Sequence, residues 1–309
     1  MFVIPFGLVW LVANYLAMAR EYQHIGVVTG LNFYPLKSCK GIAITEASCN
    51  EYGIVYDRHW TILDRGGRMV TLRSNTALVH IIPTFVDGFL KVEAPGMEPL
   101  FVPLSVAKEE PEIVDVELFG MSGSGIRVSK EADEWLSKYL GKPHSLLVFD
   151  STRCIPRKLT LHMSNANKPY IHEKDKVAFS DGCPYLLISE ESLEELNKNC
   201  AKFKCSMERF RPNIVIKGGN AFEEDQWNYL KIGTSEFRCL HRCGRCTVPN
   251  VDPETGLRDS KEPLQSLRSF RLVPKEEDPS FGNSPVFGRN LGIETPGSVK
   301  VGDIVYGSK

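Results

Sequence analysis

Residues 241–260 read HRCGRCTVPNVDPETGLRDS, and this stretch carries the cysteine pair Cys243 and Cys246 ahead of an acid-rich turn. A thioredoxin-type redox pair follows a strand and opens a helix, whereas the proline and the DPETG segment here predict a turn. A zinc site needs four thiolate or imidazole ligands. Cys239 and His241 lie nearby, but the chain has no second CxxC motif with zinc-ribbon spacing. Neither pattern is complete, and both stay open at this stage.

The same pair can supply a single metal-bound thiolate. Arg242 and Arg245 flank the cysteines, and their positive charge favours the thiolate, which is the form of cysteine that binds a metal. Thiolates suit transition metals in sulfur-rich coordination. Buried cysteines with only a packing role are the remaining alternative. The rest of the chain has to decide among these interpretations.

Composition and charge describe an ordinary globular chain. Its 309 residues, 42% hydrophobic and 24% charged, are enough for one large domain or two ordinary ones. The formal net charge of -1 gives no general attraction for nucleic acid, so any anion site has to be local. The nine scattered cysteines fit a reducing compartment better than a secreted protein stapled by disulfides.

An uncharged apolar run extends from Phe2 to Ala19. Its length falls within the roughly 17–25 residues of a membrane span. No basic residue precedes it, which disfavours a cleaved signal peptide, and an early proline and glycine disfavour a buried helix. We therefore predict an N-terminal membrane anchor over residues 1–20. Arg20, directly behind the run, favours a cytosolic position for the globular part.

Beyond about residue 24 the pattern is that of many short strands. HIGVVTGLNFYPL is rich in β-branched residues, and FVDGFLKVEAP predicts a hairpin with Asp87–Gly88 at its tip. RHWTILDRGGRMVTLR predicts two strands around a Gly66–Gly67 turn. KEADEWLSKYLGKP and SEESLEELNKNC predict helices, the second with Ser189 as its N-cap. Without a long alternation of strands and helices, a β-rich α+β fold with barrel character is predicted.

Basic and small polar side chains recur where the predicted strands begin or end. Taken singly, each has an ordinary interpretation as a solvated turn residue, a surface ion-pair partner or a turn cap. Taken together, they predict a cradle for a phosphorylated ligand, because lysine and arginine supply fixed charge and arginine supplies paired donors. These residues are Lys37, Ser38, Lys40, Arg58, Ser180, Asp181, Cys183, Arg211 and Asn213.

Five segments resemble the MOSC family with its N-terminal β-barrel partner domain: YPLKSCKG, RFRPNIVI, RCGRCTVPNVDPETG, KEPLQSLRSFR and GSVKVGD. The third and fourth segments together form the specific signature of the family. The other segments are less specific alone, but they occur in the order expected for the family. The resemblance extends over nearly the whole chain after about residue 24 and is strongest to the amidoxime-reducing branch of the family. It implies a MOSC N-terminal β-barrel-like domain over residues 24–155 and a MOSC β-barrel domain over residues 156–309.

The resemblance implies a molybdenum cofactor, in which molybdopterin holds the metal through a dithiolene and a protein cysteine completes the metal shell. The family's ligand directly precedes the pattern TxxxVDPxTG, a position that Cys246 occupies in this chain. Cys243 then has no assigned role. Asp181 is the candidate for a proton relay, from its loop position. The implied cofactor-binding residues are Lys37, Ser38, Arg58, Ser180, Arg211, Asn213, Gly244, Arg245 and Cys246.

The implied function is the reduction of N-hydroxylated compounds, such as amidoximes and hydroxylamines, to amidines and amines. The implied electron donors are cytochrome b5 and NADH-cytochrome b5 reductase. The implied location is the mitochondrial outer membrane, with the globular part facing the cytosol. The alternatives are a molybdenum-cofactor carrier or sulfur-transfer accessory protein without reductase turnover, and a membrane-tethered binding protein. Turnover of an N-hydroxylated substrate separates the reductase from both.

Removing residues 1–20 should release the protein from membranes and leave reductase activity intact, because the apolar run is the predicted anchor. The check is the partition of full-length and truncated chains between membrane pellet and supernatant, with amidoxime reduction assayed in each fraction. A chain whose apolar run is replaced by a charged segment of equal length controls for chain length. A truncated chain that still sediments with membranes would place the attachment elsewhere.

Overall fold

Strands dominate the described part of the chain. A computed structural model describes residues 20–105, 110–159, 171–172, 175–200 and 202–309. Of the predicted membrane anchor over residues 1–20, residues 1–19 lie outside these ranges. Within the ranges, no helix is both long and apolar enough to cross a bilayer. The many short strands and few helices confirm the β-rich prediction.

The elements are numbered along the described chain. The strands are β1 Gln23–Phe33, β2 Ile42–Ile44, β3 Glu46–Asn50, β4 Gly53–Ile54, β5 Trp60–Asp64, β6 Ile82–Val86, β7 Phe89–Glu93, β8 Leu100–Pro103, β9 Ile113–Leu118, β10 Met121–Arg127, β11 His144–Val148, β12 Arg157–Lys158, β13 Lys176–Val177, β14 Tyr185–Ser189, β15 Ile214–Lys217, β16 Tyr229–Ile232, β17 Ser235–Gly244, β18 Val286–Thr295, β19 Gly297–Lys300 and β20 Ile304–Ser308. The α-helices are α1 Lys130–Leu140, α2 Glu190–Asn199 and α3 Leu264–Phe270.

Seven strands close into a barrel through strand β1. The order around the ring is β1, β15, β14, β18, β17, β16 and β20, which pairs again with β1. Strand β1 is 11 residues long, so its first part can pair with β20 and its second part with β15. Closure removes the unpaired edges of the sheet. The barrel encloses an apolar core that includes Leu31, Ile216, Trp227, Phe237 and Leu291.

A second core lies beneath the sheets of the first half of the chain. Strands β5, β11, β10 and β9 form one sheet, and β6, β7 and β8 form another. The core of this half includes Trp60, Leu90 and Leu147. Two strands of the first half nevertheless pair with the second half: β1 in the barrel and β3 beside β19. The predicted domain bounds, residues 24–155 and 156–309, stay a prediction, and strands from the two ranges pair with each other.

Both helices predicted from their spacing form. Helix α1 begins after Ser129, whose side chain accepts a hydrogen bond from Ala132 N, and ends at Gly141 with a left-handed φ of 73°. Helix α2 begins after Ser189, which accepts a hydrogen bond from Ser192 N. These caps satisfy donors that a helix terminus leaves free. Because Ser189 ends β14, α2 continues directly from a barrel strand.

One of the two predicted hairpins is complete. Strands β6 and β7 pair around the Asp87–Gly88 turn, as predicted. After β5, the Gly66–Gly67 turn leads to a single bridge between Leu63 and Met69 instead of a second strand. The extended chain stops there because Ser74 N donates to Thr71 O at 2.9 Å and the Ser74 hydroxyl donates to the same oxygen. Local bonds of this kind compete with a strand ladder.

Replacing Gly26 by alanine should destabilise the barrel where it closes. A methyl group there would overlap the backbone carbonyl of Lys217 in β15, and overpacking of this kind costs about 1–3 kcal/mol. Urea unfolding measures the free energy of unfolding. Gly30→Ala, on the same strand, is the matched control, since its methyl group would lie 3.4 Å from the Val215 side chain. Equal stabilities of the two variants would contradict the close backbone approach.

Candidate functional site

A cavity of ≈ 590 Å³ lies where side chains from both halves of the chain meet. Its volume is within the range of about 300–1,000 Å³ that is typical of ligand and cofactor pockets. Lys40, which the predicted phosphate cradle included, does not line this cavity; its Nζ lies 3.4 Å from Glu254 Oε1, beside a separate pocket. All the predicted catalytic and cofactor-binding residues do line the cavity. They are Lys37, Ser38, Arg58, Ser180, Asp181, Arg211, Asn213, Gly244, Arg245 and Cys246.

The cavity is basic, although the chain as a whole has a net charge of -1. Its lining includes five basic side chains and two carboxylates, those of Asp181 and Asp278. A cleft with low-dielectric walls and an excess of one charge attracts a ligand of the opposite charge. The basic residues are Lys37, Arg58, Arg73, Arg211 and Arg245.

Three of the predicted site residues have a left-handed backbone although none is glycine. The φ angle is 69° at Ser38, 46° at Arg58 and 56° at Arg211. Such conformations are costly and persist where the surrounding structure determines them. Arg211 terminates a 3₁₀ turn, and its N–H donates to Glu208 O at 3.2 Å. Strained residues of this kind are concentrated at functional sites.

Arg58 is held in place by three acceptors. Its Nη1 donates to Asp57 Oδ2 at 2.5 Å and to Asn213 Oδ1 at 3.2 Å, and its Nη2 donates to Arg211 O at 3.1 Å. Asn213 in turn donates from Nδ2 to Asn32 O in β1 at 3.2 Å. The Asn213 side chain therefore connects the guanidinium of Arg58 to the barrel wall, which is a positioning role.

Arg211 has one hydrogen-bond donor without an acceptor among the residues that the structure describes. Its Nη2 is buried and has no hydrogen-bond partner there. Burial lowers the pKa of Arg211 to about 10, so the guanidinium is still charged at neutral pH. A buried donor without an acceptor is unfavourable. An anionic ligand in the cavity would satisfy this donor.

Lys37 and Asp181 form an ion pair in the cavity. Nζ of Lys37 donates to Asp181 Oδ1 and, at 2.7 Å, to Phe179 O. Burial lowers the pKa of Lys37 against the opposing charge of Asp181. Desolvation in the cavity would raise the pKa of Asp181, but the charge of Lys37 outweighs it and holds that pKa well below its usual range. The proton of the pair therefore resides on Lys37.

Ser180 and Arg157 carry further buried donors, and of the two only Ser180 lines the cavity. Ser180 Oγ and Arg157 Nη1 both lack a hydrogen-bond partner within the described ranges. Arg157 donates from Nε to Ala178 O at 3.0 Å and from Nη2 to Ser180 O, so it supports the loop that carries Ser180 and Asp181. Sequence reasoning missed Arg157, because no motif marks it. The role of Arg157 can be recognised only in the folded protein, where the loop that carries Ser180 packs against its guanidinium group.

Strand β17 brings the cysteine pair to the cavity. It ends at Gly244, and both Cys243 and Cys246 line the cavity. Arg245 turns back toward the first cysteine, with Nη1 3.1 Å from Cys243 Sγ, and its Nη2 donates to Phe210 O at 2.9 Å. Cys243 thus has a partner within the protein, whereas among the described residues no hydrogen bond engages the thiol of Cys246.

Two of the interpretations of the cysteine pair lose support. No group of three His, Cys, Asp or Glu side chains in the described ranges is arranged as a metal site, which disfavours zinc. All nine cysteines are free, and the chain after Cys246 enters the 3₁₀ turn Val248–Asn250 instead of an α-helix. That geometry disfavours a thioredoxin-type pair. A single thiolate facing the cavity remains consistent with the structure.

His241 and Cys183 form a second polar group in the cavity wall, which sequence reasoning did not connect. His241 Nδ1 donates to Arg242 O at 2.6 Å, so Nε2 is an acceptor. Asn290 Nδ2 lies 3.3 Å and Cys183 Sγ 3.5 Å from that nitrogen. Burial lowers the pKa of His241 to about 4 and raises the pKa of Cys183. At neutral pH the pair is therefore an uncharged imidazole and an uncharged thiol.

Part of the remaining wall is apolar and suits an organic molecule. Phe119, which has a left-handed φ of 54°, lines the cavity with the Arg73 guanidinium 4.6 Å from its ring centroid. Apolar walls with a few fixed polar groups are the usual composition of a small-molecule site. The apolar lining residues are Phe119, Met121, Leu159, Leu186, Phe210, Val248 and Phe281.

The fold combines a seven-stranded β-barrel with further β-sheets from the first half of the chain, and comparison with known families identifies the class. Residues 25–143 match the MOSC N-terminal beta barrel domain, and residues 174–306 match the MOSC domain. The chain therefore belongs to the MOSC family, with both of these domains present.

Curated relatives match over most of the chain. It is 38% identical to mitochondrial amidoxime reducing component 2 of Rattus norvegicus over 291 residues, which cover 93% of this chain and 85% of that protein. It is 37% identical over 291 residues to mitochondrial amidoxime-reducing component 1 of Mus musculus, with coverages of 93% and 84%. For component 1 of Homo sapiens the identity is 35% over 292 residues, with the same coverages of 93% and 84%.

Replacing Asp181 by asparagine should lower the pKa of Lys37 further, because the carboxylate opposes the effect of burial. Loss of an opposite charge at contact distance shifts a pKa by about one to three pH units. The measurement is a pH titration of the Lys37 side-chain resonance in protein with 13C-labelled lysine. Glu254→Gln, which removes the partner of the exposed Lys40, is the control and should leave Lys37 unchanged. A Lys37 titration that is unaltered in Asp181→Asn would reject the ion pair.

Proposed function

We propose that this chain is a molybdenum-cofactor-dependent reductase of N-hydroxylated compounds, which converts amidoximes and hydroxylamines to amidines and amines. One observation carries the proposal: a single cavity holds basic side chains whose buried donors lack partners in the described part of the chain, together with the free thiol of Cys246. The shared name of the relatives, amidoxime-reducing component, supports the reaction.

The residues that line the cavity fit a molybdopterin. A phosphate group needs fixed positive charge and donors. Nη2 of Arg211, which has no partner among the residues the structure describes, and the fixed Arg58 meet both needs. The polar edges of a pterin need hydrogen-bond partners when they are buried, and Ser180 Oγ is one that is unused within the described residues. We assign Ser38, Arg58 and Arg211 to the phosphate, Ser180, Gly244 and Arg245 to the pterin, and Cys246 to the metal.

The protein has to supply protons and a dry, shaped cavity. When bound, the cofactor would supply the two electrons that reduce the N–O bond, and two protons are needed to give the N–H group and water. Lys37 is the better proton donor of its pair, because it carries the proton and burial weakens its hold on it. Asp181, which stays ionised at neutral pH, orients Lys37 and can accept a proton in return.

The proposed reductase also needs electron donors and a location in the cell. Electrons would come one at a time from cytochrome b5, reduced in turn by NADH-cytochrome b5 reductase, and the protein would be attached to the mitochondrial outer membrane by the run in residues 1–20. The support for a mitochondrial location is the name that the relatives share. The support for membrane attachment is the length and lack of charge of that run.

Cys246→Ser should abolish reduction of benzamidoxime and keep the fold, because the thiolate of this residue completes the proposed metal shell. Cys243→Ser is the matched control, since its Sγ already has Arg245 as a partner, and it should retain most of the activity. Turnover is measured with reconstituted electron donors, together with molybdenum per chain by mass spectrometry and far-ultraviolet circular dichroism.

The pattern of these results separates the competing functions. Full turnover in Cys246→Ser would reject the ligand assignment, and loss of turnover in Cys243→Ser alone would favour a paired-thiol mechanism. Wild-type protein that holds molybdenum, transfers it to an apo-enzyme and turns over no N-hydroxylated compound would be a cofactor carrier.

A further inference from the structure

Tyr34 packs against two guanidinium groups of the cavity. The guanidinium carbon of Arg58 lies 4.3 Å from the centroid of its ring, and that of Arg211 lies 4.1 Å from it. The ring is buried, with 4% of the residue exposed. An aromatic face attracts a cation, and the attraction is stronger away from water. One ring thus stabilises two like charges that would otherwise repel each other.

The ring has a position that the surrounding backbone determines. Tyr34 N donates to Asp57 Oδ1 at 2.7 Å, and the Tyr34 hydroxyl donates to Pro212 O at 3.3 Å. Arg58 N donates to Tyr34 O at 2.8 Å. Any side chain at Gly41 would overlap the ring, so this glycine leaves the space that the ring fills. The tyrosine is therefore tied to the neighbours of both arginines.

The two arginines are oriented before any ligand is present. Both have left-handed backbones, and Arg58 Nη2 donates to Arg211 O at 3.1 Å. Nη2 of Arg211 remains without a partner among the described residues. Ser38, four residues beyond Tyr34, lines the same cavity. We call the group formed by Ser38, Arg58 and Arg211 the anion cradle.

We propose that Tyr34 is the positioning residue of the anion cradle: its ring holds both guanidinium groups in place to receive a phosphate dianion. Binding to side chains that are already fixed costs less ordering than binding to mobile ones. The inference rests on the proposed function, in which the dianion is the phosphate of molybdopterin. Tyr34 itself contacts the arginines and not the reacting atoms.

The test is binding of inorganic phosphate to the cofactor-free chain, measured by isothermal titration calorimetry at low ionic strength. Tyr34→Phe keeps the ring and should bind phosphate within about twofold of the wild type, whereas Tyr34→Leu should bind about tenfold more weakly or worse. Tyr139→Leu is the matched control. The Tyr139 hydroxyl also donates to a backbone carbonyl, that of Ala77 at 3.2 Å, and its ring packs on Trp135.

Thermal unfolding of the same variants separates positioning from stability. Tyr34→Leu and Tyr139→Leu should both lower the melting temperature, but only Tyr34→Leu should lose phosphate affinity. In an Arg211→Ala background, Tyr34→Leu should have a much smaller further effect, because the two residues act through one contact. In the wild-type chain, the side-chain protons of Arg58 and Arg211 should be shifted upfield by the ring, a readout that needs no variant to fold.

The inference is overturned if the wild type binds no phosphate, if Tyr34→Leu binds it as tightly as the wild type, or if Tyr34→Phe is as weak as Tyr34→Leu. If Tyr139→Leu lost phosphate affinity to the same degree, the weaker binding of Tyr34→Leu would follow from lower stability alone, and the inference would again be overturned. If Tyr34→Leu binds normally while the loaded wild type reduces benzamidoxime, the inference fails and the proposed function stands. If the affinities follow expectation but the loaded chain has no turnover, the function fails and the inference stands.

Discussion

The antiparallel pairing of β1 with β15 is the constraint on which the rest of the structure depends. Asn32 N at the end of β1 donates to Asn213 O at 2.9 Å, and Leu31 lies opposite Ile214. The loop after β1 carries Lys37 and Ser38, and the turn before β15 carries Arg211. One strand pairing therefore closes the barrel and also brings cavity residues more than 170 positions apart into one group. Without the pairing, these side chains would be isolated surface residues.

The charges of the cavity explain why it needs such a rigid frame. Burial lowers the pKa of Lys37 and Arg211 in the cavity wall, and of Arg157, which supports the Ser180 loop, so each charged form is destabilised by leaving water. The protein compensates this cost only in part, because buried donors on Arg157 and Arg211 lack partners within the described chain. An anion that enters the cavity gains contacts that the folded protein has already oriented. That arrangement favours binding over stability, which is the usual compromise at a functional site.

The local sequence was sufficient to predict caps and turns, because the residues that form them lie within a few positions of each other. The cap at Ser189 and the Asp87–Gly88 turn could be predicted because each depends on hydrogen bonds or backbone angles of adjacent positions. The strand expected after the Gly66–Gly67 turn did not form, because the local bonds of Thr71 and Ser74 were not anticipated. The candidate site residues came from family motifs, and the structure gathers them in one cavity, while their individual roles stay predictions.

The sequence by itself determined a β-rich chain of the MOSC type, the helix cap at Ser189 and a cysteine that precedes the turn pattern, because these depend on short-range pattern and on motifs. Only the tertiary structure decided that β1 belongs to the barrel of the second half, that Arg157 supports the Ser180 loop, and that Tyr34 packs on two arginines. These features join residues that are remote in the chain. Their energies come from burial and packing, and burial is a property of the folded whole.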